Sequence, residues 1–283
     1  MLSADQQRRY REDGYLLLPA FKPPSELAAL RARAREIVDT FDPASMAMHG
    51  RGVFTTREQS ADAWFLGSAD SVRCFFEEEA FDGEGALRQA KALSINKIGH
   101  ALHELDPVFH AFSHGDDWVE LAADLGLMRP QLWQSMFIFK QPGIGSEVRW
   151  HQDATFLHSD PITVTGFWIA LEEATVDNGC LWVAPGGHRG PLRQRFVRSG
   201  DHVQMATLDH TPWPAATDAR PLEVAAGTLV CFHGLLPHYS APNRSPQSRH
   251  AYTLHAIDGR STWSHDNWLQ RTDAPRGFET DTD

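Results

Sequence analysis

From about residue 131 the chain consists of short apolar runs separated by glycine and proline, and this pattern restricts the fold more than any other feature. Runs this short are typical of β-strands. Turn residues at regular intervals between them predict a sandwich or barrel rather than alternating strands and helices. The predicted strands are Leu132–Lys140, Thr163–Leu171, Cys180–Val183, Gly227–Phe232 and His250–Ile257. We therefore expect a mainly β protein with a jelly-roll core.

The first third of the chain has helical periodicity instead. We predict a short polar helix over residues 1–13, a brief strand over Tyr15–Leu18, and a helix that begins with Ser25 as its N-cap and extends to about Phe41. A further helix is predicted over Asp116–Leu125.

The length of the chain favours one domain. Residues 1–283 can form a single unit with a helical part over about 1–130 and a jelly-roll core over about 131–270. Residues 42–62 have no sustained hydrophobic period, and we interpret them as a mobile flap over a site.

The charge balance excludes some classes of partner. With 26 Lys+Arg against 37 Asp+Glu, the net charge of −11 argues against nucleic-acid binding, and no apolar run is long enough for a membrane span. Cys74, Cys180 and Cys231 have no metal-binding or redox spacing and suggest reduced, buried thiols. Because the N-terminus also lacks a signal-peptide pattern, we expect a cytoplasmic protein. We also expect its substrate to be a small molecule.

A histidine and an aspartate two residues apart point to a metal site. If His151 and Asp153 share one strand, both side chains lie on the same face and can bind one ion. His238 would complete a set of two histidines and one carboxylate, which leaves positions on an octahedral iron open for a co-substrate and dioxygen. Arg249 offers a planar guanidinium for a carboxylate.

Several motifs resemble, in the same order, those of the phytanoyl-CoA dioxygenase family of Fe(II)- and 2-oxoglutarate-dependent oxygenases. Within that family the chain is particularly similar to the phytanoyl-CoA dioxygenase domain-containing protein 1 group. The resemblance covers nearly the whole chain, from Gln7 to Gln270. Its most specific stretches are Ser94–His103, Gln134–Pro142, His151–Ala154, Asn178–Trp182 and Arg249–His255.

The resemblance implies a double-stranded β-helix in which His151, Asp153 and His238 are the catalytic iron ligands. It further implies that O2 and 2-oxoglutarate are consumed, that succinate and CO2 are formed, and that a substrate is hydroxylated, with ascorbate as a reductant in vitro. Halogenating relatives replace the carboxylate ligand with a small residue, so Asp153 favours oxygen transfer.

The resemblance also implies a co-substrate site. Arg249 pairs with the far carboxylate of 2-oxoglutarate, and Ser240 donates a hydrogen bond to it. Lys97, Met136 and Trp168 are the matching positions that line the pocket. A positive charge near an anion and two apolar walls suit that role.

Three other groups of histidines are weighed as candidate site residues. His233 precedes Arg244 at the spacing that separates His238 from Arg249, but the family motifs surround His238, so His233 is interpreted as structural. His255 is interpreted as a packed core histidine that faces the barrel interior. The pair at 100 and 103 is interpreted as structural or substrate-facing.

The prime substrate is left open by these motifs, as is the oligomeric state. Alternatives are an acyl-CoA 2-hydroxylase of the phytanoyl-CoA type and a catalytically silent protein that binds metal and 2-oxoglutarate. Desaturation or epimerisation could replace hydroxylation. Four arginines could form a patch for an anionic substrate or a solvated basic face; they are Arg189, Arg193, Arg195 and Arg198.

Overall fold

The computed structural model describes residues 1–46 and 63–280. The helices are α1 (Ala4–Asp13), α2 (Pro24–Thr40), α3 (Ala63–Leu66), α4 (Leu102–Leu105), α5 (Pro107–Ser113) and α6 (Asp116–Asp124). The first strands are β1 (Tyr15–Leu18), β2 (Val72–Phe76), β3 (Ile95–His100), β4 (Pro130–Ile138), β5 (Val148–His151), β6 (Ser159–Asp160), β7 (Thr165–Ala170) and β8 (Leu181–Val183). The remaining strands are β9 (Gln194–Ser199), β10 (His202–Thr207), β11 (Arg220–Leu222), β12 (Leu229–His233), β13 (His238–Ser240), β14 (Ala251–Asp258) and β15 (Thr262–Trp263).

Two antiparallel sheets face one another. The large sheet has seven strands in the order β1-β12-β7-β14-β4-β3-β2, and the small sheet has four in the order β11-β8-β13-β5. Trp168 and Val230 of the large sheet belong to one buried cluster with Leu181 and Val183 of the small sheet. The predicted mainly β jelly roll with N-terminal helices is confirmed.

Helices pack against the opposite face of the large sheet. The ring centroids of Phe109 in α5 and Tyr252 in β14 are 5.1 Å apart, and those of Trp118 in α6 and Phe167 in β7 are 5.7 Å apart. All four side chains are buried. The helices therefore cover one face of this sheet, and the other face is left for the interior of the jelly roll.

The predicted helix boundaries are nearly those observed. Gly14 ends α1 in the left-handed conformation, with φ of 80°. The prediction of Ser25 as the N-cap of α2 is wrong, because the helix begins at Pro24 and is preceded by Pro23. Proline suits the first helical position, where an amide hydrogen has no partner within the helix.

Sequence patterns did not predict β2 and β3. All six residues of β3 are buried, so the strand lacks the alternation that identifies a half-exposed strand. It also carries Asn96, Lys97 and His100, which are uncommon in a buried strand.

Three further predictions concern single segments. Most of the proposed flap over residues 42–62 lies outside the described residues. The three cysteines are free and buried, as predicted. Within the described ranges, no helix has the length and apolarity that a bilayer span requires.

Candidate metal centre

The small sheet brings the two predicted histidine ligands side by side. His151 is the last residue of β5 and His238 is the first residue of β13, and the two are register partners in this antiparallel pair. Asp153 lies in a short 3₁₀ turn after β5, so the expectation that His151 and Asp153 share one strand is wrong. Gln152 keeps an extended backbone between them, with φ of −123° and ψ of 136°, and the aspartate side chain still reaches the histidines.

The three side chains converge on one point. One potential ligand atom from each of His151, Asp153 and His238 lies within 4.8 Å of the other two. The Nε2 atoms of both histidines are 3.6 Å from Asp153 Oδ1. Of the residues that the structure describes, these form the one group of three or more His, Cys, Asp or Glu side chains close enough to share a metal ion.

Backbone carbonyls orient both imidazoles. His151 Nδ1 donates to the carbonyl of Arg149 at 2.8 Å, and His238 Nδ1 donates to the carbonyl of Leu236 at 3.0 Å. In the neutral ring the other nitrogen then carries the lone pair, so both Nε2 atoms face Asp153 as ligand donors. Burial, together with the nearby His238, lowers the pKa of His151 to about 4. His151 is therefore neutral at pH 7 and able to bind a metal.

The aspartate remains ionised although it is buried. Burial alone would raise the pKa of Asp153, but His255, His238 and His151 outweigh it and hold the pKa below its ordinary value. Two imidazoles and one carboxylate are a donor set that suits Fe(II).

The residue between the ligands anchors their loop. The Gln152 side chain is fully buried and donates to the carbonyls of Pro191 and Leu235 at 3.0 and 2.9 Å. Its Oε1 accepts from the amide of Arg193 at 3.0 Å. Sequence reasoning passed over this glutamine, although a polar residue between two metal ligands is a signal worth testing.

A glycine makes room for the carboxylate. A Cβ on Gly166 would lie 2.9 Å from Asp153 Oδ2 and 2.5 Å from the ring of Phe232, closer than side chains tolerate. A glycine inside a predicted strand often marks such a close approach, and that signal was available from the sequence.

His255 contacts the metal centre directly. Its Nε2 is 3.2 Å from Asp153 Oδ2, and its side chain is buried. The ionised carboxylate can only accept, so His255 donates this hydrogen bond. The interpretation of His255 as a hydrogen-bonded histidine facing the interior fits this arrangement, and the structure adds that its partner is Asp153.

We expect His255→Phe to weaken Fe(II) binding by roughly 10- to 100-fold, as is typical when an outer partner of a metal ligand is lost. The ring volume is retained, but Asp153 loses the hydrogen bond that orients it. Titration of Fe(II) under anaerobic conditions measures the effect. Because His103 is equally buried but bonds to Ser135 instead, His103→Phe is the control for general disruption of a buried histidine. Equal iron affinity in the parent and His255→Phe would contradict the orienting role.

Arg249 occupies a buried position with part of its hydrogen-bonding capacity unused. Nε donates to the carbonyl of Gly179 at 3.1 Å, and Nη2 donates to Ser240 Oγ at 3.4 Å. Nη1 is buried and has no hydrogen-bond partner among the described residues. The guanidinium lies over the ring of Trp168, 5.3 Å from its centroid. Burial lowers the pKa of Arg249 to about 10, so it remains cationic at neutral pH.

The hydroxyl of Ser240 makes a different hydrogen bond from the predicted one. Ser240 Oγ donates to the carbonyl of Gly179 at 3.0 Å. A buried amino group, that of Lys140, lies close by, since its Nζ donates to the carbonyl of Ser240 at 3.4 Å and to that of Ser146 at 2.6 Å. Lys140 was not predicted, and burial, followed by the charge of Arg249, lowers its pKa well below the ordinary value.

Met136 and Trp168 lie on one face of the large sheet. Both pair with Thr253 of β14, one from each side, so their side chains share its face. Gly99 of β3 also pairs with Met136, which places Lys97, two residues earlier, on the same face.

The environment of Lys97 is largely aromatic. Its Nζ lies 5.3 and 5.4 Å from the ring centroids of Phe65 and Phe75. Burial lowers its pKa to about 7.

His233 lies outside the metal group. Its Nδ1 accepts from the amide of Leu235 at 3.1 Å, and its ring centroid is 5.4 Å from that of His188. These contacts support the structural interpretation. Burial lowers the pKa of His233 to about 4.

The pKa of His233 predicts a loss of stability in mild acid. The folded imidazole stays neutral down to about pH 4, whereas the unfolded chain takes up a proton near pH 6.5. Between pH 7 and pH 5 this group alone should therefore reduce the free energy of unfolding by about 2 kcal/mol. Urea unfolding of the parent and His233→Gln at both pH values measures it, and the variant should lose less stability. The same pH dependence in both proteins would contradict the assignment.

Each of the four arginines has a partner of its own. Arg189 Nη1 donates to the carbonyl of Glu12, and Arg198 Nη1 donates to that of Leu66. The guanidinium of Arg193 lies over the ring of Trp213, and Arg195 forms an ion pair with Asp266. This arrangement does not favour the hypothesis of a joint anion site.

Comparisons with known proteins agree with this geometry. The family model described as "Phytanoyl-CoA dioxygenase (PhyH)" matches residues 10–251. "Phytanoyl-CoA dioxygenase 1" of Oryza sativa subsp. japonica is 48% identical, with 97% of this chain and 96% of the relative covered. "Phytanoyl-CoA dioxygenase domain-containing protein 1" of Bos taurus is 43% identical, with 96% of each covered.

Solved structures share the fold at low sequence identity. SnoK, described as a non-heme alpha ketoglutarate dependent carbocyclase from nogalamycin biosynthesis, superposes with a TM-score of 0.67 at 18% identity, covering 99% of this chain and 95% of that one. EctD from S. alaskensis, solved with 2-oxoglutarate and 5-hydroxyectoine, gives a TM-score of 0.67 at 19% identity, covering 99% and 87%.

Proposed function

The chain belongs to the phytanoyl-CoA dioxygenase family of non-haem iron and 2-oxoglutarate dioxygenases, and on that premise we propose that it hydroxylates a small molecule while converting 2-oxoglutarate and O2 to succinate and CO2. One observation carries the proposal. Two imidazole lone pairs and an ionised carboxylate converge within 4.8 Å, on residues that match the iron ligands of the family.

The residues present fit Fe(II). His151 and His238 offer Nε2 atoms that backbone carbonyls have already oriented, and Asp153 offers a carboxylate oxygen. Iron bound there would allow O2 to react with an unactivated C–H bond, with two electrons taken from 2-oxoglutarate and two from the substrate. The protein's own contribution is to hold three ligands on one side and to leave the opposite side accessible.

Arg249 would bind the far carboxylate of 2-oxoglutarate. Its Nη1 is a buried donor without a partner among the described residues, and a carboxylate oxygen is the acceptor that this fork suits best. Ser240 can contribute if its hydroxyl turns from Gly179 toward the ligand. The amino group of Lys140 contacts the carbonyl of Ser240 and so helps to hold this residue in place.

Apolar side chains would exclude water from the co-substrate. Trp168 lies beneath the guanidinium of Arg249, and Met136 lies on the same sheet face. Lys97 extends that face toward β3 and would line the pocket at its far end. Such walls strengthen the electrostatic attraction between Arg249 and the bound carboxylate.

An acyl-CoA 2-hydroxylase of the phytanoyl-CoA type is the second candidate, because the rice relative, which is 48% identical, is named a phytanoyl-CoA dioxygenase.

We also propose that residues 1–283 form a single domain, since β1, β2 and β3 pair within the same sheet as the later strands.

Calorimetry tests the proposed site under anaerobic conditions. We expect 2-oxoglutarate to bind at least about tenfold more tightly with Fe(II) than without it, because the iron adds ligand bonds to the Arg249 contact. Binding that is indifferent to Fe(II) would contradict a shared iron and co-substrate site.

A further inference from the structure

A buried histidine on the large sheet has no role in the chemistry described so far. His100, at the end of β3, is surrounded by aromatic rings. Its ring centroid lies 5.3 Å from that of Phe65, 5.5 Å from that of Phe75 and 5.1 Å from that of Trp268. Phe65 and Trp268 stack on each other at 4.3 Å. We refer to Phe65, Phe75, His100 and Trp268 as the His100 box.

Hydrogen bonding fixes which nitrogen of His100 carries the proton. Ser68 Oγ is 2.5 Å from the carbonyl of Phe65, a distance that requires the hydroxyl proton to lie between the two oxygens. Ser68 Oγ therefore accepts from His100 Nδ1, 2.7 Å away. Burial, followed by the charge of Lys97, holds the pKa of His100 well below its ordinary value, so the ring is neutral.

The other nitrogen is an acceptor without a partner. His100 Nε2 is buried and makes no hydrogen bond to any described residue, and the side chain is 0% exposed. An unpaired buried acceptor costs free energy unless a ligand or water satisfies it. In a neutral ring with its proton on Nδ1, this nitrogen accepts from a hydroxyl or N–H group and repels a carboxylate.

Next to the box, Gly99 leaves room for one more carbon atom on its face of the sheet. Gly99 is buried in β3, yet a Cβ placed on it would meet only Met136 Cγ at 3.6 Å and the Ser135 carbonyl at 3.9 Å. Since Met136 pairs with both Gly99 and Thr253, this space lies on the sheet face that leads to the proposed co-substrate pocket.

The metal centre lies within reach of the box. Strand β4 separates β3 from β14, so the two outer strands are about 10 Å apart. His255 of β14 bonds to Asp153 at 3.2 Å. A small molecule anchored at His100 can therefore present a C–H bond toward the iron ligands.

We propose that the His100 box binds the substrate of the oxygenase and selects a molecule that pairs a flat apolar body with a hydroxyl or amine hydrogen. This inference rests on the proposed function for its reaction. It disfavours a plain alkyl chain, because such a chain would leave His100 Nε2 without a partner. The aromatic rings contact the flat apolar body of the molecule. His100 Nε2 accepts the hydroxyl or amine hydrogen and so discriminates against molecules that lack one.

A matched pair of probes tests this selection. We would measure the dissociation constants of benzyl alcohol and toluene by calorimetry, with the protein loaded with Fe(II) and 2-oxoglutarate and oxygen excluded. The quantity of interest is the preference for the alcohol. In His100→Phe we expect that preference to fall about tenfold, since one hydrogen bond is lost.

Two further variants keep the test decisive. Ser68→Ala removes the acceptor that fixes the proton on His100 Nδ1, so the preference should also fall there, even if His100→Phe does not fold. His103→Gln is the control, because both nitrogens of that histidine are already paired, with Ser135 and Leu132. Its preference should equal that of the parent.

An unchanged preference in both His100→Phe and Ser68→Ala would overturn the inference, as would failure of both probes to bind a parent protein that binds 2-oxoglutarate. Failure of the parent to bind 2-oxoglutarate at all would instead overturn the proposed function.

Discussion

Replacement of Asp153 with alanine is expected to lower iron-dependent turnover of 2-oxoglutarate by at least about 100-fold, more than the loss typical for an outer partner of a ligand. Asp153 supplies the carboxylate of the proposed ligand set, and its Oδ1 lies 3.6 Å from both histidine Nε2 atoms. Without it, two neutral imidazoles remain, and the charge that attracts a divalent cation is gone. Succinate formation at saturating Fe(II) measures the effect.

Asp177→Ala is the matched control, because that aspartate is exposed and lies outside the metal group. Its turnover should equal that of the parent. Parent-like turnover in Asp153→Ala would show that iron binds elsewhere, and the proposed site would then be wrong.

Arg249→Ala should raise the dissociation constant for 2-oxoglutarate by about 100-fold or more, the scale expected when one partner of a buried charged pair is removed. Arg249 is 2% exposed, so the carboxylate that it binds would be left buried and unpaired. Calorimetry in the presence of Fe(II) measures the affinity. Iron binding itself should not change, since Arg249 is not a proposed ligand.

Two variants sharpen this prediction. Arg249→Lys should recover only part of the affinity, because an ammonium cannot reproduce the planar fork. Arg244→Ala is the control, since Arg244 pairs with exposed Glu79 at the surface. A loss in Arg244→Ala as large as that in Arg249→Ala would contradict the assignment of the carboxylate site.

The sequence motifs singled out the same three residues that the structure brings together as a candidate metal group. His151 and His238 become neighbours through the pairing of β5 with β13, two strands that were not among those predicted. Asp153 was placed on the wrong element, since spacing alone does not reveal that the strand ends at His151. Two residues on an extended segment and two across a strand end look the same in sequence.

The supporting residues were harder to predict because their partners are distant in sequence. His255 reaches Asp153 across 102 positions, and only the three-dimensional pairing of strands brings them together. Strand β3 was missed for a different reason: its six buried residues do not alternate between apolar and polar, so Lys97 and His100 could not be assigned to the large sheet from the pattern alone. The substrate could not be predicted from the sequence either, because no motif in the chain encodes its contacts.

The formation of succinate from 2-oxoglutarate by the purified protein, with Fe(II), ascorbate and air, tests the central claim most directly. We expect succinate that depends on added Fe(II), that is lost with a chelator, and that falls at least about 100-fold in Asp153→Ala. We also expect faster turnover when a molecule that fits the His100 box is present. A protein that binds Fe(II) and 2-oxoglutarate together, yet forms no succinate with any hydroxyl- or amine-bearing compound tested, would contradict the claim that this chain is an oxygenase.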